Sequence, residues 1–478
     1  MRKSIILPLS LLMLATGTAG AKSPKRGVSE NQFSLYNQMV VLQDGVSWYY
    51  NWGNTPGKGY QNEVSDFTGY EFVPMVWNDR YNADNIREYV KSHPECKYLL
   101  GFNEPNFTAQ ANMTPAKAAE EWPAVQALAK ELGLKLVSPA LNYSPNPPYT
   151  DPVKWMDEFV AIVGNDAFDY VAIHNYGGLG VMKTLANTFH DKYGKDVWVT
   201  EFCYWPNEGQ ANSRVEPEVQ IASMMETVEW LEKTPWIYRY AWFKPIGKHE
   251  NTPTSGSPCF GLIVTENGLG EKHLSPQGYV YTYMSDFDTE RWHAAGTVIP
   301  ASEYIAQSNL MLGPGAHPEA PLPIEISRFN ASAWAEYQID VPKDGVYNLT
   351  LTVSGQGEPV RFDPCLQVFL SEGENLTPLT EAVKFSISGS DDSYTDQTFP
   401  IELKAGHRTI RIADQAPYSP SGLRISHLSF SDPSGVETII EEARRGDKTV
   451  YSIDGRRVDP ASAGPGVYIC NGRKFIVK

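Results

Sequence analysis

Between residues 44 and 270, short apolar runs of β-forming residues alternate with helical stretches, and no other feature limits the fold as tightly. Strand candidates lie at 46–52, 72–77, 98–102, 135–139, 170–174, 197–201 and 238–243. Helical patterns separate them at 83–92, 115–132, 155–163 and 219–233. Several of the strand candidates are apolar almost throughout, as strands covered on both faces must be. The chain is therefore expected to be an α/β protein built on a (β/α)8 TIM-type barrel. Seven strands are readable, and the eighth is expected near 63–67 or 260–264.

The pattern changes after residue 292. A Pro/Gly-rich stretch from Gly313 to Pro323 is followed by alternating runs at 334–341, 346–353, 366–370, 397–403, 409–412 and 423–430. Turn signals such as Lys343-Asp344-Gly345 separate runs that have no helices between them, which points to an all-β sandwich. Residues 436–478 carry eight Lys and Arg against six Asp and Glu and read as hairpins too few to enclose a core. The expected units are a leader at 1–21, the barrel at 22–292, the sandwich at 293–435 and a small β tail at 436–478. The leader is read from Met1-Arg2-Lys3, an apolar run from Ile5 to Ala15 and Ala19-Gly20-Ala21, a secretory signal too short to span a bilayer. An exported protein without membrane insertion follows.

Composition narrows the function classes. A chain with 42% hydrophobic and 20% charged residues is not disordered, and a net charge of −16 argues against a nucleic-acid binder held by phosphate neutralisation. Five dispersed cysteines exclude a disulfide-built scaffold. Cys203 and Cys259 fall on one rim of the expected barrel and are the candidate pair, against the alternative of simple buried thiols. Nine histidines show no HExxH pattern, and no Gly-x-Ser-x-Gly elbow occurs, so no metal and no cofactor are expected.

Two strand candidates end in a carboxylate: Gly101-Phe102-Asn103-Glu104-Pro105-Asn106 and Val197-Trp198-Val199-Thr200-Glu201-Phe202. An ionisable residue at the carboxyl end of a barrel strand faces the mouth, where barrel enzymes keep their sites. Glu104 and Glu201 lie three strands apart, across a mouth narrow enough for them to face each other. Two facing carboxyls suffice to cleave a glycosidic bond, one protonating the leaving oxygen and the other attacking the anomeric carbon.

These segments resemble glycoside hydrolase family 128, together with Val46-Ser47-Trp48-Tyr49-Tyr50-Asn51-Trp52-Gly53, Phe72-Val73-Pro74-Met75-Val76-Trp77 and Leu136-Val137-Ser138-Pro139-Ala140. Ala172-Ile173-His174-Asn175-Tyr176-Gly177 and Tyr240-Ala241-Trp242-Phe243 extend the match. The resemblance implies retaining β-1,3-glucanase activity, with Glu104 as acid/base and Glu201 as nucleophile, and the leading expectation is endo action on laminarin- or curdlan-like glucan. It makes their strands the fourth and seventh, which places the uncounted strand before Phe72. Asn103 is then expected on the sugar 2-hydroxyl, His174 and Tyr176 beside the nucleophile, and Trp242 as the floor at the cleavage point. Trp52 and Trp77 are expected to stack on sugar faces, whereas Trp48 suits the core equally well. Asn175 stands where the family has a bulkier aromatic. The sandwich resembles a family 6 carbohydrate-binding module through Trp334-Ala335-Glu336-Tyr337 and Leu403-Lys404-Ala405-Gly406-His407-Arg408, with Tyr418 as a binding candidate. The tail resembles a type IX secretion sorting domain through 450–458 and Gly466-Val467-Tyr468, implying the cell surface or medium, with the periplasm as the alternative. The expected partner is a β-glucan, taken by a monomer. Another β-glycan (mannan, xylan or mixed-linkage glucan) and a non-catalytic glycan-binding barrel are the competing readings.

Overall fold

The computed structural model describes residues 22–206, 215–247, 259–265, 272–355, 363–415, 422–431, 450–452, 457–459, 464–470 and 473–477. The expected leader and Tyr418 lie outside the described residues. Eight parallel strands form one curled sheet: β1 (Arg26–Ser29), β2 (Trp48–Tyr50), β3 (Glu71–Phe72), β4 (Tyr98–Leu99), β5 (Lys135–Leu141), β6 (Tyr170–Asn175), β7 (Val197–Phe202) and β8 (Ile237–Phe243). Their order is β3-β2-β1-β8-β7-β6-β5-β4. A parallel bridge between Met75 and Leu100, flanked by Leu100 N–H donating to the Pro74 carbonyl at 3.0 Å, joins the two ends of the sheet.

The eighth strand is Arg26–Ser29, before Phe72 as the family resemblance implied, and in neither of the two segments read from the pattern. Residue 63 follows a single 3-10 turn (Tyr60–Asn62), and Ile263–Thr265 pairs with Lys272–Leu274 in a separate ribbon. Arg-Gly-Val-Ser has no hydrophobic run to announce a strand. Its neighbours impose the conformation: Gly27 pairs with Trp48 of β2 and with Ala241 of β8. A Cβ on Gly27 would lie 2.4 Å from the Trp48 indole, so packing that ring inside the sheet requires glycine.

Seven α-helices cover the sheet among the described residues: α1 (Tyr36–Val40), α2 (Ala83–Ser92), α3 (Pro115–Leu132), α4 (Pro152–Val163), α5 (Leu179–Tyr193), α6 (Pro217–Lys233) and α7 (Pro276–Tyr283). The connection from β2 to β3 carries only the 3-10 turn, so the regular (β/α)8 alternation expected from sequence breaks there. Gly53, Pro56, Gly57 and Gly59 in that segment oppose a helix. Elsewhere the ends are chemically marked. The Asn82 side chain accepts the N–H groups of Asp84 and Asn85 to start α2, Thr114 accepts from Lys117 to start α3, and Gly133 at φ +68° ends it.

The floor of the curled sheet is an aromatic plug at the strand starts. Arg239 lies 4.5 Å from the Tyr98 ring and 5.1 Å from Trp198, and it pairs with Glu71 at 2.7 Å. Above it, Tyr50, Val73, Met75, Leu100, Val137, Ala140, Ala172 and Ala241 fill the interior. The strand ends are left as the open mouth.

Residues 293–431 supply eleven strands in one hydrogen-bonded, mostly antiparallel sheet rather than two separate sheets. The strand Ile324–Val341 links its parts. Trp334–Val341 pairs with Gly406–Ala413, whereas Ile326 and Phe329 pair with Ile425 and Leu423. This sheet packs on α6, where Arg328 meets Glu218 at 2.8 Å and Leu312 N–H approaches Met225 Sδ at 3.3 Å. Strands within 450–477 form a further four-stranded sheet. Cys203 and Cys259 are both buried, and no described helix is long and apolar enough to cross a membrane.

Arg26 ties β1 to the helices. Its guanidinium pairs with buried Glu232 of α6 at 3.2 Å and donates to the carbonyls of Tyr281, Met284 and Ser285 at 2.8–3.0 Å. Arg26→Met strands the Glu232 carboxylate in the interior, and chemical denaturation is expected to show a loss of about 3–5 kcal/mol. A loss below ~1 kcal/mol would mean that the pair carries no structural weight.

Candidate active site

Strict strand alternation would turn Glu201 toward the helices. In β7, Trp198 points into the sheet interior and Val199 out, which should send Glu201 out as well. The pairing with β6 slips by one residue between Ile173–Val199 and His174–Glu201, and this bulge turns Glu201 into the mouth. Phe202, re-phased with it, packs outward against Trp242 and Tyr281. A matching slip follows β4. Leu100 faces inward, yet Phe102 faces outward onto Trp122. Gly101 permits it, since a Cβ there would lie 2.8 Å from the Val137 carbonyl oxygen. Glu104 then adopts φ +42°, a left-handed conformation costing about 1–3 kcal/mol. Its N–H donates to the Ala140 carbonyl at 3.0 Å.

The two carboxyls meet on one imidazole. His174 Nδ1 is 2.9 Å from Glu104 Oε1 and 3.5 Å from Glu201 Oε2. The side chains are 0%, 8% and 5% exposed for His174, Glu104 and Glu201, so little water screens them. Their surroundings differ. Glu201 accepts from Tyr50 Oη at 3.0 Å and Trp52 Nε1 at 2.7 Å on one oxygen, and from Tyr176 Oη on the other. Burial pushes the Glu201 carboxyl above its ordinary value, and the nearby Glu104 charge adds to this. His174, Tyr176 and Trp52 pull the other way without cancelling the shift. Burial, then the Glu201 charge, raise the Tyr50 and Tyr176 phenols well above the usual range, so both remain donors. One donor atom each from Glu104, His174 and Glu201 lies within 4.8 Å of the others, a spacing that also suits a divalent ion.

A cleft of about 290 Å³ opens over the pair. Of the residues expected there, Trp52, Trp77, Asn103, Glu104, Tyr176 and Glu201 line it, and His174 lies buried beneath. Trp242 does not line it. That ring packs outward 5.7 Å from Tyr281, its Nε1 donating to the Phe260 carbonyl at 2.7 Å, and Phe243 faces the cleft in its place. The alternation along β8, with Ala241 inward, leaves Trp242 on the helix side. Trp48 is interior, its Nε1 donating to Lys25 O at 2.9 Å, and Asn175 folds back onto the Gly177 carbonyl at 2.8 Å. Trp52, at φ +59°, both presents a ring to the cleft and hydrogen-bonds Glu201.

Sequence reasoning missed Asn31, Gln110, Phe243 and Lys244 in the lining. Lys244 Nζ contacts Asn31 Oδ1 at 3.2 Å and lies 5.8 Å from the Trp52 ring centroid. Phe243 was legible as the last residue of the Tyr-Ala-Trp-Phe run, one position beyond Trp242. The polar loop residues carried no signal.

The chain is similar to several solved structures. An endo-β-1,3-glucanase from Pseudomonas viridiflava, GH128 subgroup II, is 34% identical over 55% of this chain and 98% of that one, with a TM-score of 0.46. A subgroup II endo-β-1,3-glucanase from Sorangium cellulosum is 31% identical, over 54% and 97%, with a TM-score of 0.44. A subgroup I enzyme from Amycolatopsis mediterranei, in complex with laminaritriose, is 25% identical, over 51% and 94%, with a TM-score of 0.40. No curated protein matches the chain. The family model described as the glycosyl hydrolase catalytic core matches residues 27–270, a span that begins in β1, includes all eight strand ends and contains every residue of the mouth. The chain accordingly belongs to the glycosyl hydrolase catalytic core family and is a glycoside hydrolase.

Proposed function

We propose that the protein is a retaining, endo-acting β-1,3-glucanase of glycoside hydrolase family 128, working through Glu104 and Glu201. One observation carries the mechanism: an oxygen of each carboxylate lies within 4.8 Å of the other, with His174 between them. Retaining enzymes hold their carboxyls about 5–5.5 Å apart, and inverting enzymes need about 6.5–9.5 Å to admit water. The short spacing supports double displacement. The order of the family 128 motifs along residues 46–243 supports the β-1,3-glucan substrate.

The surroundings divide the roles. Glu201, held by three donors, is the fixed nucleophile; Glu104, held by His174 at the cleft wall, is the proton carrier. In the first step the Glu104 proton passes to the glycosidic oxygen, the C1–O bond breaks, and a Glu201 oxygen bonds to C1. In the second step Glu104 takes a proton from water, whose oxygen displaces Glu201 from C1 and releases the sugar. Proton and electron pair balance across the cycle, and neither step needs a cofactor. The exposed parts of Trp52 and Trp77 offer sugar-stacking faces on the cleft wall.

Beyond the catalytic unit, Met1-Arg2-Lys3 and the Ala19-Gly20-Ala21 site support export. The motifs near 334–345 and 403–410 support a glycan-binding role for the second sheet. Those near 450–468 support a sorting role for the tail.

Glu201→Gln is expected to cut laminarin hydrolysis by at least about a thousandfold. Equal sugar release from wild type and variant in a reducing-end assay overturns the proposal, and cleavage of mannan or xylan in preference to laminarin reassigns the substrate. Glu104→Gln is expected to damage laminarin hydrolysis far more than hydrolysis of a dinitrophenyl glycoside, whose leaving group needs no proton. Steady-state kinetics on the two substrates check this, and equal losses contradict the acid role.

Ionisation of Glu201 also links stability to pH. Its folded value is raised, so between the unfolded and folded values the native state binds the extra proton and stability falls as pH rises. Removing the ionisable group removes that slope. The melting temperature of Glu201→Gln relative to wild type is therefore expected to climb between pH 4 and pH 7, and a flat or falling difference in a thermal scan contradicts the raised value.

A further inference from the structure

We propose that Gln110 is a positioning residue that decides which end of the Asn103 amide faces the glycan; this rests on the glycosidase reading above. Asn103 precedes Glu104 and is 3% exposed, at the cleft wall. Its backbone is fixed on both sides, with the N–H donating to Trp77 O at 2.9 Å and the carbonyl accepting from Ala111 N–H at 3.2 Å. The side-chain amide is not fixed in that way. Its Oδ1 is buried without a hydrogen-bond partner among the described residues. A half-turn of the amide exchanges donor and acceptor at almost no change in shape, so only a polar neighbour separates the two orientations. That neighbour is Gln110, whose Oε1 accepts from Asn103 Nδ2 at 3.4 Å.

The intervening loop is built to hold it there. Gln110 N–H donates to Phe107 O at 3.2 Å, and Met113 N–H donates to Pro105 O at 2.9 Å, so the chain from Glu104 returns to its own start and sets Gln110 over the cleft. An acceptor at this position selects the orientation with the Asn103 N–H groups toward the cleft. The second hydrogen on Nδ2 is then free for a sugar hydroxyl. A 2-hydroxyl that accepts there can donate its own proton to the Glu201 carboxylate. That second bond strengthens as positive charge grows at C1, because the hydroxyl becomes more acidic. Were the amide reversed, an acceptor would face the hydroxyl and compete with Glu201 for its single proton. Gln110 thus acts on the transition state through Asn103.

Gln110→Met keeps the size and removes the acceptor. With an aryl β-laminaribioside it is expected to lower kcat about tenfold while KM stays within about twofold. With the analogue lacking the 2-hydroxyl on the ring bonded to the aryl group, wild type and variant are expected to agree within about twofold. The same substitution in an Asn103→Ala background is expected to add nothing. Equal losses on both substrates, or an undiminished effect in the Asn103→Ala background, overturn the proposal, as does a kcat for Gln110→Met equal to wild type. Gln110→Ser serves if Gln110→Met does not reach the wild-type melting temperature. Wild-type inactivity on the laminaribioside together with cleavage of another glycan overturns the glucan reading instead, and the comparison then runs on the aryl glycoside of that glycan and its 2-deoxy analogue.

Discussion

Two carboxylates and an imidazole share a mouth from which water is nearly excluded, and the rest of the catalytic unit can be understood as what makes that arrangement tolerable. Like charges in a low-dielectric site repel strongly, and burial holds the Glu201 carboxyl above its ordinary value. His174 lies within hydrogen-bond reach of Glu104 and close to Glu201, while Tyr50, Trp52 and Tyr176 converge on Glu201 alone. The unequal number of donors makes two chemically identical side chains behave differently. Four strands contribute to this shell, so it forms only when the sheet has curled.

The aromatic plug at the strand starts is the complement of that mouth. Trp48, Tyr98, Trp198 and Tyr238 crowd the lower interior with Arg239 among them. Bulk at the bottom and small residues such as Ala140, Ala172 and Ala241 higher up leave space only at the top. Shape, as much as charge, confines the chemistry to one end of the sheet.

Much of this was legible in the sequence, for reasons that can be named. The helices at 83–92 and 115–132 carried their caps in Asn82, Thr114 and Gly133, and their ends match residue for residue. Glu104 and Glu201 stood out as charges closing apolar runs. Arg26–Ser29 was invisible because its pairing, not its composition, makes it a strand. Trp242 was misplaced because a period-two pattern shows which residues share a face but not which face is the interior, and with Ala241 inward Trp242 falls on the helix side. Trp52 read as a stacking surface, since nothing in a sequence shows that an indole N–H will reach a carboxylate 149 residues away. Gln110 and Lys244 were ordinary polar residues until the loops carrying them were folded.

The position of β1 has a consequence for how the chain acquires its shape. Lying between β2 and β8, with a guanidinium whose carbonyl acceptors come 255 to 259 residues later, β1 is among the last strands to be satisfied. Its pairing with β2 is close in sequence, but its pairing with β8 and the acceptors at the end of α7 must wait until those segments have emerged. A nascent chain ending before residue 237 therefore leaves one edge of β1 unpaired, and one ending before residue 281 leaves the Arg26 guanidinium without its carbonyl acceptors.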